Sequence, residues 1–167
     1  KQVTIAYKGR LAINLKISVD DSAHASAPWL SKNAIEETMI FSKELKEGLE
    51  SGQEKKSKGM LLTATLTEIN GGTSHNVTPK ECVSTFDIRI PVDTNCKITE
   101  QKISGLVNEI AQRRKVEANY AIIDETEPFE APHDSAIVRA FTLGIMDVEH
   151  TRPTLIRKTG TGDMNVI

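Results

Sequence analysis

An α+β fold of the ferredoxin-like type is predicted by three features: segments with strand-like alternation, helix-period segments between them, and the order βαββαβ across residues 10–125. That order gives a four-stranded antiparallel sheet with both helices on one face. A chain of 167 residues can bury the core this requires and begin a second unit.

The first strand is expected over residues 10–19, where Leu11, Ile13, Leu15, Ile17 and Val19 alternate with other residues until Asp20, Asp21 and Ser22 end it. Ser31 is the expected N-cap of the first helix, in which Ile35, Met39, Leu45 and Leu49 keep helical spacing and Gly48 and Gly52 mark the exit. After a polar linker over 53–59, residues 60–69 read as a strand with Leu62, Ala64 and Leu66 on one face and threonines on the other. Asn70-Gly71-Gly72 turns the chain, and Cys82, Ser84, Phe86, Ile88 and Ile90 then alternate up to Pro91, as the antiparallel mate of that strand. Ile103, Leu106, Val107, Ile110 and Ala111 form one apolar helix stripe, with Arg113, Arg114 and Lys115 favourably placed at its C-terminal end. Val116, Ala118, Tyr120 and Ile122 supply the fourth strand.

Beyond residue 125 come Pro128, Pro132, a helix expected over about 134–146 and a short strand near 154–157, none of which has a place in that sandwich. The expected organisation is therefore residues 1–125 as one domain and 126–167 as an incomplete segment of a second, α/β domain. A first residue Lys1 and a last residue Ile167 read as the ends of an excised piece of a longer chain.

The chain has 21 Lys and Arg against 23 Asp and Glu, a net charge of −2 and 4% aromatic residues, so nucleic-acid and anionic-membrane binding have no electrostatic footprint. No apolar run approaches the roughly 20 residues that span a bilayer, and the N-terminus carries no signal-peptide pattern. Cys82 and Cys96 lack C-x-x-C spacing, which points to a reduced, cytoplasmic protein.

Four places are candidates for chemistry. His24, in the small-residue loop Ala23-His24-Ala25-Ser26-Ala27-Pro28, is either an ordinary surface histidine or an accessible donor to a developing oxyanion. Asn76 lies in a donor-rich loop that is either a wide hairpin or a ligand contact. Arg89 shares a strand face with Asp87, giving either a structural ion pair or a bidentate partner for a substrate carboxylate. Gly160 and Thr161 belong to Lys158-Thr159-Gly160-Thr161-Gly162-Asp163, which lacks P-loop order but suits a main-chain anion nest. His24, His75, His133 and His150 are scattered, and no local metal motif can be assembled from them.

Three separated signatures resemble one family, the co-catalytic zinc peptidases and deacylases that include acetylornithine deacetylase and succinyl-diaminopimelate desuccinylase. Tyr7-Lys8-Gly9-Arg10 through His24-Ala25-Ser26-Ala27-Pro28 to Asn33-Ala34-Ile35 looks like that family's entry into its lid, or dimerisation, domain. Asn70-Gly71-Gly72, Asn76-Val77-Thr78-Pro79 and Asp87-Ile88-Arg89 resemble its lid hairpin, and Gly160-Thr161-Gly162-Asp163 is similar to its return into the catalytic domain. Ala23 departs from the glycine often found before the histidine, and His75 stands where the pattern varies. The run from Arg157 to Asn165 is most similar to the archaeal-type lysine and ornithine branch, whose members release the amino acid from an acyl group or a carrier protein.

The resemblance implies a parent that hydrolyses the amide bond of an N-acyl or carrier-linked amino acid. Two zinc ions, or cobalt, and a glutamate base would come from segments outside this sequence, with no cofactor and no activity expected of the piece alone. It further implies that His24 stabilises the oxyanion across a dimer, and that Asn76, Arg89, Gly160 and Thr161 contact substrate. In a ferredoxin-like sheet the strand over 60–69 is an edge. Two chains are expected to pair along it into a homodimer, with the first helix beside its mate. The competing class is a free-standing ferredoxin-like binding or regulatory dimer without catalysis.

Overall fold

The computed structural model describes residues 1–166. Their elements run β1 (Gln2–Tyr7), β2 (Gly9–Ser18), α1 (Ala34–Glu50), β3 (Thr63–Gly71), β4 (Glu81–Ile90), α2 (Cys96–Arg114), β5 (Glu117–Thr126), β6 (Phe129–Glu130), α3 (Ala136–Glu149) and β7 (Thr154–Lys158). Strands β2 to β5 form one antiparallel sheet in the spatial order β3-β4-β2-β5, the ferredoxin-like arrangement the element order predicts.

Alternation decides what each face of this sheet does. On β4, Cys82, Ser84, Phe86, Ile88 and Ile90 are buried while Val83, Thr85, Asp87 and Arg89 lie half-buried on the opposite, open face. Leu11, Ile13, Leu15 and Ile17 of β2 join the buried set, and α1 and α2 close over it with Phe41, Leu45 and Leu49 and with Ile103, Val107 and Ile110. Each such side chain contributes about 1.5–3 kcal/mol on leaving water.

Helix α1 departs from the expected details. Its N-cap is Asn33, whose side chain accepts from the Ile35 N–H at 3.0 Å, while the Ser31 hydroxyl donates instead to the Asp21 carbonyl. Its inward face is Ala34, Thr38, Phe41, Ser42, Leu45 and Leu49, and Met39 is 60% exposed. Thr38 is tolerated inside because its hydroxyl donates to the Ala34 carbonyl at 2.7 Å. Gly48 lies within the helix and does not mark its exit. A Cβ there would come within 2.8 Å of Leu106 on α2, so it permits close helix contact, and Gly52, at φ +75°, ends the turn. Strand β3 starts at Thr63, after a 3-10 turn over Lys58–Met60.

A second, three-stranded sheet has the order β6-β1-β7, with β1 parallel to β7 and antiparallel to β6. Val3 and Ile5 of β1, Ala131 and Val138 of α3 make its small core. Strand β1 was not anticipated, and its ladder ties residues 2–7 to the C-terminal elements, whereas the expected organisation grouped them with the first sheet. The chain passes between sheets at Tyr7-Lys8-Gly9 and again at Thr126–Phe129. The two passages touch, since a Cβ on Gly9 would lie 2.6 Å from the Thr126 carbonyl oxygen and from the Pro128 nitrogen. Asn165 seals this junction by donating to the Glu127 carbonyl at 2.7 Å and the Lys8 carbonyl at 3.3 Å and accepting from the Gly162 N–H at 2.9 Å.

Candidate functional site

The sequence-predicted residues assemble as two pairs. The loop after β2 and the loop before β4 are stitched together by Ala25 N–H to Asn76 carbonyl and Thr78 N–H to Ala23 carbonyl, both 2.8 Å, forming a single antiparallel bridge between His24 and Val77. Ala23 N–H also donates to the Thr78 hydroxyl at 2.8 Å. This stitching sets the exposed imidazole of His24 beside the amide of Asn76, with Nε2 and Nδ2 3.5 Å apart. Behind them, His24 Nδ1 is 2.7 Å from the Ser26 hydroxyl and 3.2 Å from the Ser26 N–H, and the Ser74 hydroxyl donates to Asn76 Oδ1 at 2.7 Å.

The second pair is Arg89 and Thr161. Arg89 Nη1 donates to the Thr161 hydroxyl at 2.8 Å, which joins β4 to the glycine-rich loop after β7. Its Nε and Nη2 donate to Asp87 at 2.6 and 3.0 Å, so the ion pair that the spacing allows is present. Asp87 also forms an ion pair with Arg10, whose Nε lies 3.1 Å away without making a hydrogen bond, and Arg10 reaches Asp124 at 2.9 Å. Gly160 is exposed beside Thr161 with open space around its Cα, whereas Gly162 packs flat on Tyr7, whose ring a Cβ would meet at 2.7 Å.

Lys8 lies buried next to this second pair, its Nζ donating to the carbonyls of Leu61 at 2.5 Å and Lys58 at 3.3 Å. Burial, and then the nearby Arg89 charge, hold its pKa below the ordinary lysine value. Lys8, Arg10, Asp124 and Asn165 are site neighbours to which the sequence assigned no role, although Lys8, Arg10 and Asn165 fall inside the family-like runs Tyr7-Lys8-Gly9-Arg10 and Arg157 to Asn165. Their place at the site follows from the strand pairing and the sheet-to-sheet passages, which need the topology.

The two pairs are far apart in one chain. His24 and Asn76 adjoin the Glu81 end of β4, where Val19 N–H meets the Lys80 carbonyl, and Arg89 is at the other end. Eight residues of extended strand separate them, a span of about 25 Å.

Among the described residues the one cluster with metal-ligand spacing is Cys96, Glu125 and Glu127, all within 4.8 Å. Burial first, then Glu127, push the Cys96 thiol up to about 12, and its S–H donates to the Thr126 carbonyl at 3.4 Å. The Glu127 carboxylate is occupied in accepting the Cys96 N–H at 3.0 Å, capping α2. His133 lies 3.8 Å from Glu130. No described helix is long and apolar enough to cross a membrane.

Comparison with known proteins matches residues 5–118 to the peptidase dimerisation domain, M20_dimer. A LysW-lysine/LysW-ornithine hydrolase of Saccharolobus islandicus is 33% identical over 101 residues, 60% of this chain and 27% of that protein. One from Saccharolobus solfataricus is 31% identical over the same length. The chain thus spans about a quarter of the length of the curated relatives it matches. Among solved structures, aminopeptidase PepT of Bacillus cereus superimposes with a TM-score of 0.74 at 16% identity, over 99% of this chain and 42% of that one. An M20 family metallo-carboxypeptidase of Sulfolobus solfataricus gives 0.74 at 14% identity, over 99% and 48%. These last two likenesses are of fold.

Proposed function

The chain belongs to the M20 peptidase dimerisation domain family, and from that premise we propose that it forms the lid of a zinc-dependent amidohydrolase. The substrate is the amide of an N-acyl or carrier-linked amino acid such as lysine or ornithine, in line with what the hydrolase relatives are named for. The zinc pair belongs to other parts of the parent, and when bound it supplies Lewis-acid activation of the amide.

The observation that carries this reading is the division of the candidate residues into two pairs at opposite ends of β4. A substrate a few ångströms across cannot touch both pairs of one chain. It can lie between Arg89 and Thr161 of one subunit and His24 and Asn76 of a second copy. Three guanidinium N–H groups of Arg89 are engaged by Asp87 and Thr161, and the remaining ones are available to a substrate carboxylate. Gly160 and Thr161 offer main-chain contacts beside it. His24 then donates to the oxygen that gains charge as the carbonyl carbon becomes tetrahedral, while Asn76 holds a polar group next to it.

The second copy docks along the β3 edge. Leu66 and Ile69 on β3 and Met39 and Ile40 on the neighbouring α1 are each at least 40% exposed, an apolar strip beside an unpaired strand. Residues 126–167 are read as a slice of the catalytic domain. Phe141, Leu143 and Val148 of α3, each at least 60% exposed, suit contact with further parts of that domain.

The test is His24→Ala in the full-length parent. A transition-state donor predicts a fall in kcat on the order of 100-fold with KM little changed. An unchanged kcat would return His24 to an ordinary loop position.

A further inference from the structure

Two serines stand directly behind the His24–Asn76 pair, and neither belongs to any contact described for catalysis. The Ser26 backbone N–H points at His24 Nδ1 from 3.2 Å, and the Ser26 hydroxyl lies 2.7 Å from the same nitrogen. A backbone N–H can only donate, so Nδ1 must present its lone pair, and the single proton of a neutral imidazole is then on Nε2. On the other side, the Ser74 hydroxyl donates to Asn76 Oδ1 at 2.7 Å, which turns the amide so that its NH2 group faces His24.

Nε2 and Nδ2 are 3.5 Å apart, and in this state both carry protons. They cannot bond to each other, and both are open to one acceptor placed between them. We propose that Ser26 and Ser74 are positioning residues that make His24 and Asn76 a two-donor cradle for a carbonyl oxygen or oxyanion. Ser26 fixes the imidazole tautomer and Ser74 fixes the amide orientation. This deepens the reading of His24 given above and rests on it for the identity of the acceptor, while the tautomer and the amide orientation are properties of this chain alone.

The arrangement has a built-in asymmetry. Losing the Ser26 hydroxyl removes the closer of the two contacts to Nδ1 and leaves only the longer backbone N–H, so the preference for the Nε2–H tautomer weakens without inverting. Losing the Ser74 hydroxyl frees the amide to turn Oδ1 toward Nε2–H, closing the cradle on itself with an internal hydrogen bond.

The experiment is long-range 1H–15N spectroscopy of the imidazole nitrogens in this chain, at a pH where His24 is neutral, with the His24 signals identified by their loss in His24→Ala. The wild type is expected to show an acceptor-type Nδ1 and a protonated Nε2. Ser26→Ala, which keeps the backbone N–H, should move both nitrogen shifts part of the way toward their tautomer average, and Ser26→Thr, which keeps the hydroxyl, should restore them. Ser74→Ala should leave Nδ1 in place and shift Nε2 and the Asn76 side-chain amide peaks. A protonated Nδ1 in the wild type, or a Ser26→Ala spectrum identical to it, would overturn the assignment to Ser26. Unmoved Nε2 and Asn76 peaks in Ser74→Ala would overturn the role of Ser74. None of these readouts depends on catalysis, so they fail or hold separately from the His24→Ala activity test.

Discussion

Arg10 on β2 and Arg89 on β4 stand directly opposite each other in the antiparallel ladder, and the carboxylate of Asp87 takes an ion pair from both. Two like charges facing across a sheet are destabilising by themselves. Asp87 turns the juxtaposition into a row that runs from Asp124 through Arg10 and Asp87 to Arg89 and on to Thr161.

Asp87→Ala should therefore cost more than a surface ion pair. Arg10 and Arg89 would lose a half-buried common partner and be left to repel, a destabilisation of roughly 2 kcal/mol. Urea unfolding of the variant should show a lowered midpoint with an unchanged slope. A midpoint equal to wild type would mean that the row is ornamental.

The helical glycines make a matched pair of tests. Gly105 on α2 is exposed with open space where a Cβ would go, so Gly105→Ala should stabilise by about 0.5–1 kcal/mol through helix propensity. Gly48 is pressed against Leu106, so Gly48→Val should destabilise by about 1–3 kcal/mol. Thermal unfolding of both should give shifts of opposite sign. Two shifts of the same sign would contradict the close approach of α1 and α2.

Cys96 predicts an alkaline effect. Its thiol is pushed up to about 12 in the folded chain from the ordinary value of 9.0, so the neutral form is favoured by folding. A raised folded pKa adds stability that is complete below pH 9 and is lost as pH climbs toward 12. Lys8 and Lys102, whose pKa values are lowered by burial, tilt stability the other way in both wild type and variant. The readout is thus the difference between wild type and Cys96→Ala, which should shift against the wild type as pH rises above 9. A pH-independent difference would place the thiol in water.

The sheet and both of its helices were legible from periodicity, because its inner strands have one buried face and alternate, as β4 shows residue by residue, while the edge strand β3 is exposed from Thr65 to Gly71. Helix α1 was legible in type but not in face. Its inward positions include Thr38 and Ser42, so a hydrophobic pattern picks out Met39, which faces out. Strand β1 escaped because its alternation covers only Gln2 to Ile5 before breaking at Ala6, and its partner β7 lies some 150 residues away. Each candidate site residue could be named from its local motif, but the two-pair arrangement could not. His24 meets Asn76 across 52 positions and Arg89 meets Thr161 across 72, and only the loop pairing and the second sheet bring them together.

Assembly is open to direct measurement. Sedimentation of the chain should report a dimer, and Met39→Lys, which puts a charge into the apolar strip beside β3, should shift it to monomer without unfolding it. A wild type that stays monomeric at high concentration would remove the docking edge from the account.

The central claim, that each substrate site is completed by two subunits, is tested most directly by mixing two inactive variants of the full-length parent. His24→Ala and Arg89→Ala homodimers each lack one half of every site. After subunit exchange at equal amounts, half the dimers are mixed, and each of these carries one site with both residues intact, so activity should return to about a quarter of wild type. Mixtures that remain as inactive as the separate variants would show that His24 and Arg89 serve the same site from the same chain, or no common site at all.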